Sequence, residues 1–287
     1  MKLILGLVVV VASTLGGFVL HHGELMLLVV PTEYLIIGGV LVGSLLVANP
    51  FRVVLGAGTG VLREITGGGA PSKKKYVEML QMIYELLQLA RKEGVLALES
   101  HVNEPENSSI ISKYPSFAKN HHAVTFMTDT LKLFVAGALD AHAMDELMER
   151  DLEVMHHEEM GPSHALQGGA DALPAIGIVA AVLGIILTMQ AIDQGAAAVG
   201  EKVAGALVGT FFGVFLSYGF VGPMSAALGA TVEAKGRYLQ CLRSVLTASI
   251  GGVNPPMAVE IGRRSIDPSV RPGFEELEEA LKETKGG

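Results

Sequence analysis

The sequence predicts an all-α membrane protein with four membrane-spanning helices. Half of its 287 residues are hydrophobic, only 17% are charged, and charged residues are absent from four long apolar segments. These segments are residues 3–20, 34–48, 172–192 and 203–221. The first, third and fourth contain 18, 21 and 19 residues. As helices they would extend roughly 27 to 32 Å, which matches a hydrocarbon core of about 30 Å.

The second apolar segment is too short to span by itself, since residues 34–48 number only 15. The apolar residues 25–30 can supply the missing length if the helix continues across Pro31, Thr32 and Glu33. We therefore expect the second span to begin before Tyr34, at a position that the pattern does not fix.

Lys and Arg are concentrated on one side of the predicted spans. Residues 49–171 contain 11 of them and the residues after Gly222 contain 8, whereas residues 21–33 contain none and residues 193–202 contain only Lys202. Because basic residues mark cytoplasmic segments, both termini and the long middle segment are predicted to be cytoplasmic. A cleaved signal peptide at residues 1–17 is the alternative, but it has a single Lys and no clear A-x-A site follows the apolar segment.

This topology divides the chain into four parts. Residues 1–48 hold spans one and two, and residues 172–222 hold spans three and four. Between them, residues 49–171 are predicted to form an inserted, helical cytoplasmic domain, and residues 223–287 a set of cytoplasmic helices with a tail. The periodicity supports helices, since apolar residues recur every three or four positions from Tyr76 to about Glu99. Residues 122–155 predict one or two more helices, and Phe274–Glu283 a short acidic one.

A glycine-rich stretch opens the middle segment. Gly56, Gly58 and Gly60 resemble the start of a phosphate loop, but the third glycine of G-x-G-x-x-G is missing and no G-K-[ST] follows. A flexible linker is the interpretation we favour.

Several kinds of chemistry are not expected. A single cysteine, Cys241, cannot form an intrachain disulfide, and a net charge of -8 argues against nucleic acid. The densest cluster of metal-ligating side chains, residues 156–159 (His-His-Glu-Glu), cannot converge on one ion because neighbours on a helix point about 100° apart. We interpret it as a solvated helix end. No nucleophile motif is present, so we expect no enzyme activity, cofactor or metal.

Small residues mark the fourth span. Gly205, Gly209 and Gly213 recur every four residues and form one smooth stripe, which allows a neighbouring helix to approach closely. The third span carries Ala180 and Gly184 at the same spacing. The stripe can serve packing within one chain, packing between subunits, or both.

Ionisable side chains are absent from all four apolar segments, which offer only hydroxyl groups such as those of Ser44, Thr188, Thr210 and Ser217. Ion carriers hold an ionisable group inside the membrane. If this protein conducts ions, the titrating carboxylate is therefore expected to come from another chain.

Sequence motifs along the whole chain resemble the MotA family of flagellar stator subunits, part of the MotA/TolQ/ExbB proton channel superfamily. The third span, LPAIGIVAAVLG at residues 173–184, is similar to the family's third-span signature. The fourth span contains VGTFFG at 208–213 and SYGFVGP at 217–223, and the tail contains PPMAVEIGR at 255–263 and RPGFEELEE at 271–279.

The resemblance implies a subunit of the bacterial inner membrane that assembles as a homo-oligomeric ring, which we expect to be a pentamer, around the spans of MotB. The aspartate of MotB then carries the ion. Arg91 and Glu99 fall where the family places two charged residues that contact the rotor switch protein FliG. On a single helix, eight residues place these charges about 80° apart. Two alternatives remain open: an energy-transducing channel subunit similar to ExbB or TolQ, and a non-conducting membrane scaffold.

Four more positions acquire roles through the resemblance. Pro174 and Pro223 lie at the predicted cytoplasmic boundary, at the start of span three and the end of span four, and are expected to couple ion transit to cytoplasmic movement. Sodium-driven members have a threonine at the position of Ala181 and another at that of Thr210. With only one of these hydroxyls present, the resemblance favours H⁺ over Na⁺. The Thr210 hydroxyl can face the ion pathway, or it can bond a carbonyl of its own helix.

Overall fold

The computed structural model describes residues 2–67, 69–190, 193 and 195–284, and every regular element in these ranges is helical. The chain also contains short 3₁₀ turns and one π-helical turn, Ser217–Val221. The α-helices are α1 (Lys2–Leu20), α2 (Pro31–Ala48), α3 (Phe51–Ile65), α4 (Lys73–Glu93), α5 (Glu99–Asn103), α6 (Pro115–Ala118), α7 (His121–Val135), α8 (Ala141–Met189), α9 (Ala196–Leu216), α10 (Gly222–Ile250), α11 (Pro255–Ser265) and α12 (Phe274–Glu283).

The chain divides into two compact units. The first comprises Met1–Gly69 and Glu159–Thr231, and the second comprises Ala70–Glu158 and Val232–Gly287. In the described part of the chain, four helical segments, all including parts of the first unit, are long and apolar enough to cross a membrane. The predicted all-helical architecture with four candidate spans is therefore confirmed.

The second span begins with a proline. A 3₁₀ turn at Leu25–Leu28 is followed by two residues outside the helix, and α2 then starts at Pro31. A proline fits this first position because the N–H that it lacks would have no partner inside the helix. As a result Glu33 lies in the first turn of α2. The expectation that the spans carry only hydroxyl groups is wrong at this residue.

The glycine-rich stretch is helical, so the flexible linker predicted there is wrong. Gly56 and Gly60 lie in α3 and face neighbouring helices. A Cβ at Gly56 would lie 3.0 Å from Cγ of Pro162, and one at Gly60 would lie 3.0 Å from Cδ1 of Leu228. Close packing against these side chains offsets the low helix propensity of glycine, which the sequence pattern alone does not reveal.

Helix α8 is longer than the sequence suggested. Its 49 residues include both Pro162 and Pro174, so the predicted third span is the C-terminal part of one long helix. The cluster at residues 156–159 consequently lies within α8 and is not at a helix end as predicted. His156 pairs with Glu233 of α10 at 3.4 Å. Among the described residues no group of His, Cys, Asp and Glu is arranged to hold a metal ion.

The second unit has its own hydrophobic core around α4. The predicted amphipathic helix is present, but it ends at Glu93, because Gly94 adopts a φ of 93°. The predicted acidic helix has the expected bounds in α12, and its Leu277 joins the core. Cys241 is buried there, where burial raises the pKa of its thiol to about 12. Buried core side chains include Leu80, Ile83, Tyr84, Leu87, Leu98, Phe126, Met127 and Leu242.

Arginine and carboxylate pairs fix the polar edges of this unit. Nε and Nη2 of Arg243 donate to the two carboxylate oxygens of Asp145 at 2.8 and 2.9 Å, and Thr247 donates a third hydrogen bond at 2.7 Å. In the tail, Arg263 and Arg264 both donate to Glu260 and lower the pKa of its carboxyl to about 2. Two-point pairing of this kind holds helices in one register.

Acid should weaken the second unit through Asp145. The hydrogen bonds from Arg243 lower the pKa of this carboxyl in the folded state, so it stabilises the fold above the pKa of an unfolded aspartate, about 3.9. This stabilisation is lost as the pH falls through the folded-state pKa. We expect Asp145→Asn to reduce the free energy of unfolding by about 1–3 kcal/mol at neutral pH. Thermal unfolding of the purified protein should show this difference shrinking below about pH 4.

Glu149→Gln is the matched control, because Glu149 meets the same arginine at 3.4 Å but is 56% exposed. A similar loss in both variants would contradict a specific role for Asp145.

Candidate functional site

Helices α8 and α9 cross at backbone contact. A Cβ at Gly177 would lie 2.7 Å from the carbonyl oxygen of Gly209 and 3.0 Å from Cα of Gly213. One at Gly213 would lie 2.6 Å from the carbonyl oxygen of Leu173. No side chain fits at these positions, so glycine allows the two helices to approach this closely.

Gly205 differs from Gly209 and Gly213, the other two glycines of the predicted stripe. A Cβ at Gly205 would have nothing within 4 Å, and this residue is partly exposed within one subunit. On α8, Gly184 packs against Ala206, whose Cβ would lie 2.8 Å from a Cβ at Gly184. Close packing inside the chain therefore uses Gly209 and Gly213, and a role of Gly205 between subunits stays a prediction.

Pro174 lies inside α8, not at a helix start, and it changes the hydrogen bonding of the preceding turn. Because proline has no N–H, the carbonyl of Ala170, four residues earlier, receives no bond from position 174. Oγ of Ser217 donates to this carbonyl oxygen instead, at 2.6 Å, and Ser217 is only 2% exposed. The buried serine satisfies an acceptor that the proline leaves free.

The helical chain does not stop at Pro223, contrary to the stop signal expected from sequence. The chain continues from α9 through the π-helical turn Ser217–Val221 into α10, and Pro223 lies in the first turn of α10 with its side chain exposed. The N–H of Gly222 donates to the carbonyl of Ser217, five residues earlier. A π turn next to a proline is a recognised way to absorb a missing helical bond. Ser217 thus donates a hydrogen bond to the Ala170 carbonyl, which Pro174 leaves free, and accepts one from Gly222, the residue before Pro223.

Ala181 and Thr210 lie next to the glycine contact. Ala181 is buried, and its backbone nitrogen would lie 3.2 Å from a Cβ at the adjacent Gly209. Thr210 is partly exposed, and its hydroxyl forms no hydrogen bond with any residue that the structure describes. The alternative of a bond to its own helix is not present in this conformation, so the hydroxyl is available to a ligand or partner.

Glu33 is the residue that sequence analysis missed. Its side chain extends from α2 between α8 and α9, where it is only 4% exposed. Oε1 would lie 3.3 Å from a Cβ at Gly184, and Oε2 occupies the space where a Cβ of Gly209 would be. Oε2 has no hydrogen-bond partner among the described residues. The carboxyl was overlooked because Pro31 and Glu33 interrupt the apolar segment and suggest a loop.

Arg91 and Glu99 lie in the second unit, and both are exposed. They are not on one helix, so the predicted 80° arrangement is wrong. Arg91 is in the last turn of α4, and Glu99 begins α5 after Gly94 and a 3₁₀ turn. Neither forms an ion pair with another described residue. Glu99 borders a shallow concave surface formed with Leu96, Ala97, Ser100, Asn103 and Glu104.

Comparison with known proteins connects these features to a family. The profile described as "Motility protein A N-terminal" matches residues 4–94, and the profile of the MotA/TolQ/ExbB proton channel family matches residues 118–240. Chemotaxis protein LafT of Vibrio parahaemolyticus is 36% identical over 286 residues, covering 100% of both chains. The chain belongs to the MotA family. Motility protein A of Salmonella typhimurium is 33% identical and covers 98% of this chain and 95% of its own length.

Solved structures agree with this fold. A chain of the Campylobacter jejuni MotAB structure, titled "Structure of C. jejuni MotAB", matches with a TM-score of 0.75 at 21% identity, covering 95% of this chain and 98% of that chain. The Bacillus subtilis MotAB stator complex matches with a TM-score of 0.74 at 20% identity, covering 96% and 100%. The match of the MotA N-terminal profile to residues 4–94, which include α1 and α2, does not favour the ExbB or TolQ alternative.

Gly213 should be intolerant of any side chain in this MotA-like subunit. Since a Cβ there would meet backbone atoms of α8, which cannot rotate away, we expect Gly213→Ala to lower the free energy of unfolding by about 1–3 kcal/mol. Gly205→Ala is the matched control, with an expected gain of up to about 1 kcal/mol from helix propensity. Thermal unfolding of the purified protein measures both, and an equal loss at Gly205 would mean that a neighbouring subunit packs there.

Proposed function

We propose that this MotA-like stator subunit forms, together with a MotB-like subunit, a proton channel of the bacterial inner membrane that converts ion flow into torque on the flagellar rotor. The observation that carries this proposal is the similarity to motility proteins over nearly the whole chain. The region of the α8–α9 contact supports it, because the Thr210 hydroxyl there forms no hydrogen bond with a described residue and can meet a partner or an ion.

The proposed topology places both termini in the cytoplasm. Residues 49–171 would be inserted in the cytoplasm between the two span pairs, and residues 223–287 would form the cytoplasmic tail. The strong excess of Lys and Arg in these segments supports it, since translocation of basic loops is disfavoured. The absence of Lys and Arg from residues 21–33 supports an outward position for the α1–α2 connection.

The proposed assembly is a ring of identical subunits, a pentamer, around the partner's spans. Large exposed apolar side chains on the candidate spans support burial by lipid and neighbouring subunits. They include Leu5, Val8, Leu35, Val47, Ile178, Leu187 and Leu207.

The direct test of function uses a strain that lacks its stator gene and is flagellated but non-motile. Rescue of swimming by this chain with a MotB-like partner supports the proposal, and assembly without rescue or ion flux supports the scaffold.

Arg91 and Glu99 are proposed to contact the rotor switch protein FliG. Both are exposed and without an ion-pair partner in the described part of the chain, so their charges can meet complementary charges on another protein. The concave surface beside Glu99 supports a protein contact there, because Leu96 in it is 71% exposed.

Reversal of both charges, Arg91→Glu with Glu99→Lys, is expected to reduce stator recruitment and swimming. Single neutralisations should have mild effects, because an exposed ion pair contributes only about 0.2–1 kcal/mol. Fluorescently tagged stators and swimming speed measure the two outcomes. Reversal of the exposed pair Lys282 and Glu278 is the control, and unchanged recruitment in the Arg91/Glu99 double variant would remove this assignment.

Pro174 and Pro223 are proposed to couple ion transit to movement of the second unit. Pro174 interrupts the hydrogen bonding of α8, and Pro223 follows the π turn at the start of α10. Both helices continue into the second unit. Their shared neighbour Ser217 supports a joint response, because it contacts the Ala170 carbonyl and the π turn. We expect Pro174→Ala and Pro223→Ala to assemble with the partner but to generate less torque. Bead rotation on tethered flagella measures torque, and normal torque in both variants would refute the coupling.

The proposed ion is H⁺. A Na⁺ site needs several hard oxygen ligands, and the buried methyl group of Ala181 supplies none next to Thr210. Swimming speed should therefore be insensitive to external Na⁺ and should fall when the pH gradient is collapsed at a fixed membrane potential. Speed that depends on Na⁺, or that phenamil blocks, would contradict this choice.

A further inference from the structure

The carboxyl of Glu33 is in an unusual environment for an acidic side chain. The Glu33 side chain is only 4% exposed, and it lies between glycine positions on α8 and α9. Oε2 receives no hydrogen bond from the described residues. An ionised carboxylate without partners inside a membrane segment is strongly destabilising, so the group needs a proton, a cation or a water molecule.

A cleft connects this carboxyl to one end of the first unit, where α2 begins, α8 ends and α9 begins. Among the described residues, the charged ones that line the cleft with Glu33 are Glu201 and Lys202, both on α9 and both exposed. The other described lining residues are uncharged. In the proposed topology this end faces outward, so the cleft opens to the external solution.

On its other side, Glu33 reaches the helix contact that carries the ion-pathway residues. Gly209, against which Oε2 lies, directly precedes Thr210, and a Cβ at Gly209 would also be 3.2 Å from the nitrogen of Ala181. The carboxyl thus lies between the cleft and the α8–α9 contact beside Ala181 and Thr210.

We propose that Glu33 is a proton-binding site of the ion pathway, which takes up H⁺ through the cleft and holds it at the α8–α9 contact, next to Ala181 and Thr210. This inference rests on the proposed function, in which the partner's carboxylate receives the ion. It adds a titrating group supplied by this chain. Proton uptake converts the carboxylate to a neutral carboxylic acid, and release restores the carboxylate, with no other bond changed.

A proton fits this site better than a metal cation. A Na⁺ ion would need several oxygen ligands around the carboxylate, and the glycine and alanine neighbours bring no side-chain oxygen. The carbonyl of Gly184 already accepts a hydrogen bond from Thr188 at 2.8 Å. A proton needs only the carboxyl oxygen itself, and it removes the charge that burial disfavours.

Labelling with dicyclohexylcarbodiimide tests the site directly, because this apolar reagent reacts with carboxyl groups that carry a proton. The chain is purified with its MotB-like partner, and mass spectrometry of peptides separates Glu33 from the partner's carboxyl. We expect Glu33 to be labelled, with the yield falling about tenfold per pH unit above its midpoint. The control is Glu24→Gln, because Glu24 is exposed in the α1–α2 connection and does not line the cleft; it should leave labelling of Glu33 unchanged.

Three labelling results would overturn the proposal. The first is a Glu33 peptide that is detected but unlabelled at every pH. The second is protection by Na⁺ at constant pH, which would indicate a cation site. The third is a rise in labelling in Lys202→Gln, which would indicate that an ion pair with Lys202 keeps the carboxylate charged.

Motility measures whether the site lies on the pathway. Glu33→Gln keeps the shape of a protonated carboxyl, so the complex should assemble with unchanged size. We expect it to swim more slowly than wild type and to lose the dependence of speed on external pH, whereas the control Glu24→Gln should behave as wild type. Wild-type speed at every pH in an assembled Glu33→Gln complex would overturn the pathway role. Failure of the wild-type chain to restore swimming would instead overturn the proposed function, and labelling of Glu33 does not depend on that result.

Discussion

The backbone contact between α8 and α9 is the constraint on which the rest of the first unit depends. Gly177 faces Gly209 and Gly213 at distances that leave no space for a Cβ. Within a membrane, helices gain little from the hydrophobic effect on meeting each other, so close packing of small residues has to supply the attraction. This contact places Thr210 on an accessible surface and allows the Glu33 side chain to lie against Gly209.

Buried hydroxyl groups in this unit form hydrogen bonds to backbone carbonyls of neighbouring helical segments. The carbonyl of Ala170, left free by Pro174, is satisfied by Ser217 from the neighbouring helical segment. Ser163 and Ser225 exchange hydrogen bonds between α8 and α10, since each hydroxyl donates to the other's carbonyl, at 2.9 and 2.8 Å. Buried hydroxyls therefore join helices in this unit. Ser217 satisfies a free carbonyl, and the pair of serines forms hydrogen bonds between two helices.

The second unit is stabilised by different interactions from those of the first. Its core is formed by large side chains around α4, and its edges are fixed by arginine and carboxylate pairs such as Arg243 with Asp145. Gly94 ends α4 early and turns the chain, which separates Arg91 from Glu99 while leaving both exposed. The two charges therefore do not form one stripe on a helix, and Glu99 borders a concave surface.

The sequence by itself determined the family, the four apolar spans and the helical class, because long uncharged segments and ordered motifs can be recognised without any knowledge of contacts. It also located α12 and the glycine stripe, which depend on local periodicity. Tertiary structure alone decided that Gly56 and Gly60 form helix α3, that α8 continues through Pro162 and Pro174, and that Ser217 bonds the Ala170 carbonyl. Each of these depends on a partner distant in sequence that replaces a lost hydrogen bond or fills the space beside a glycine. Glu33 is the clearest case, since its burial arises from the crossing of α8 and α9, which its own segment does not contain.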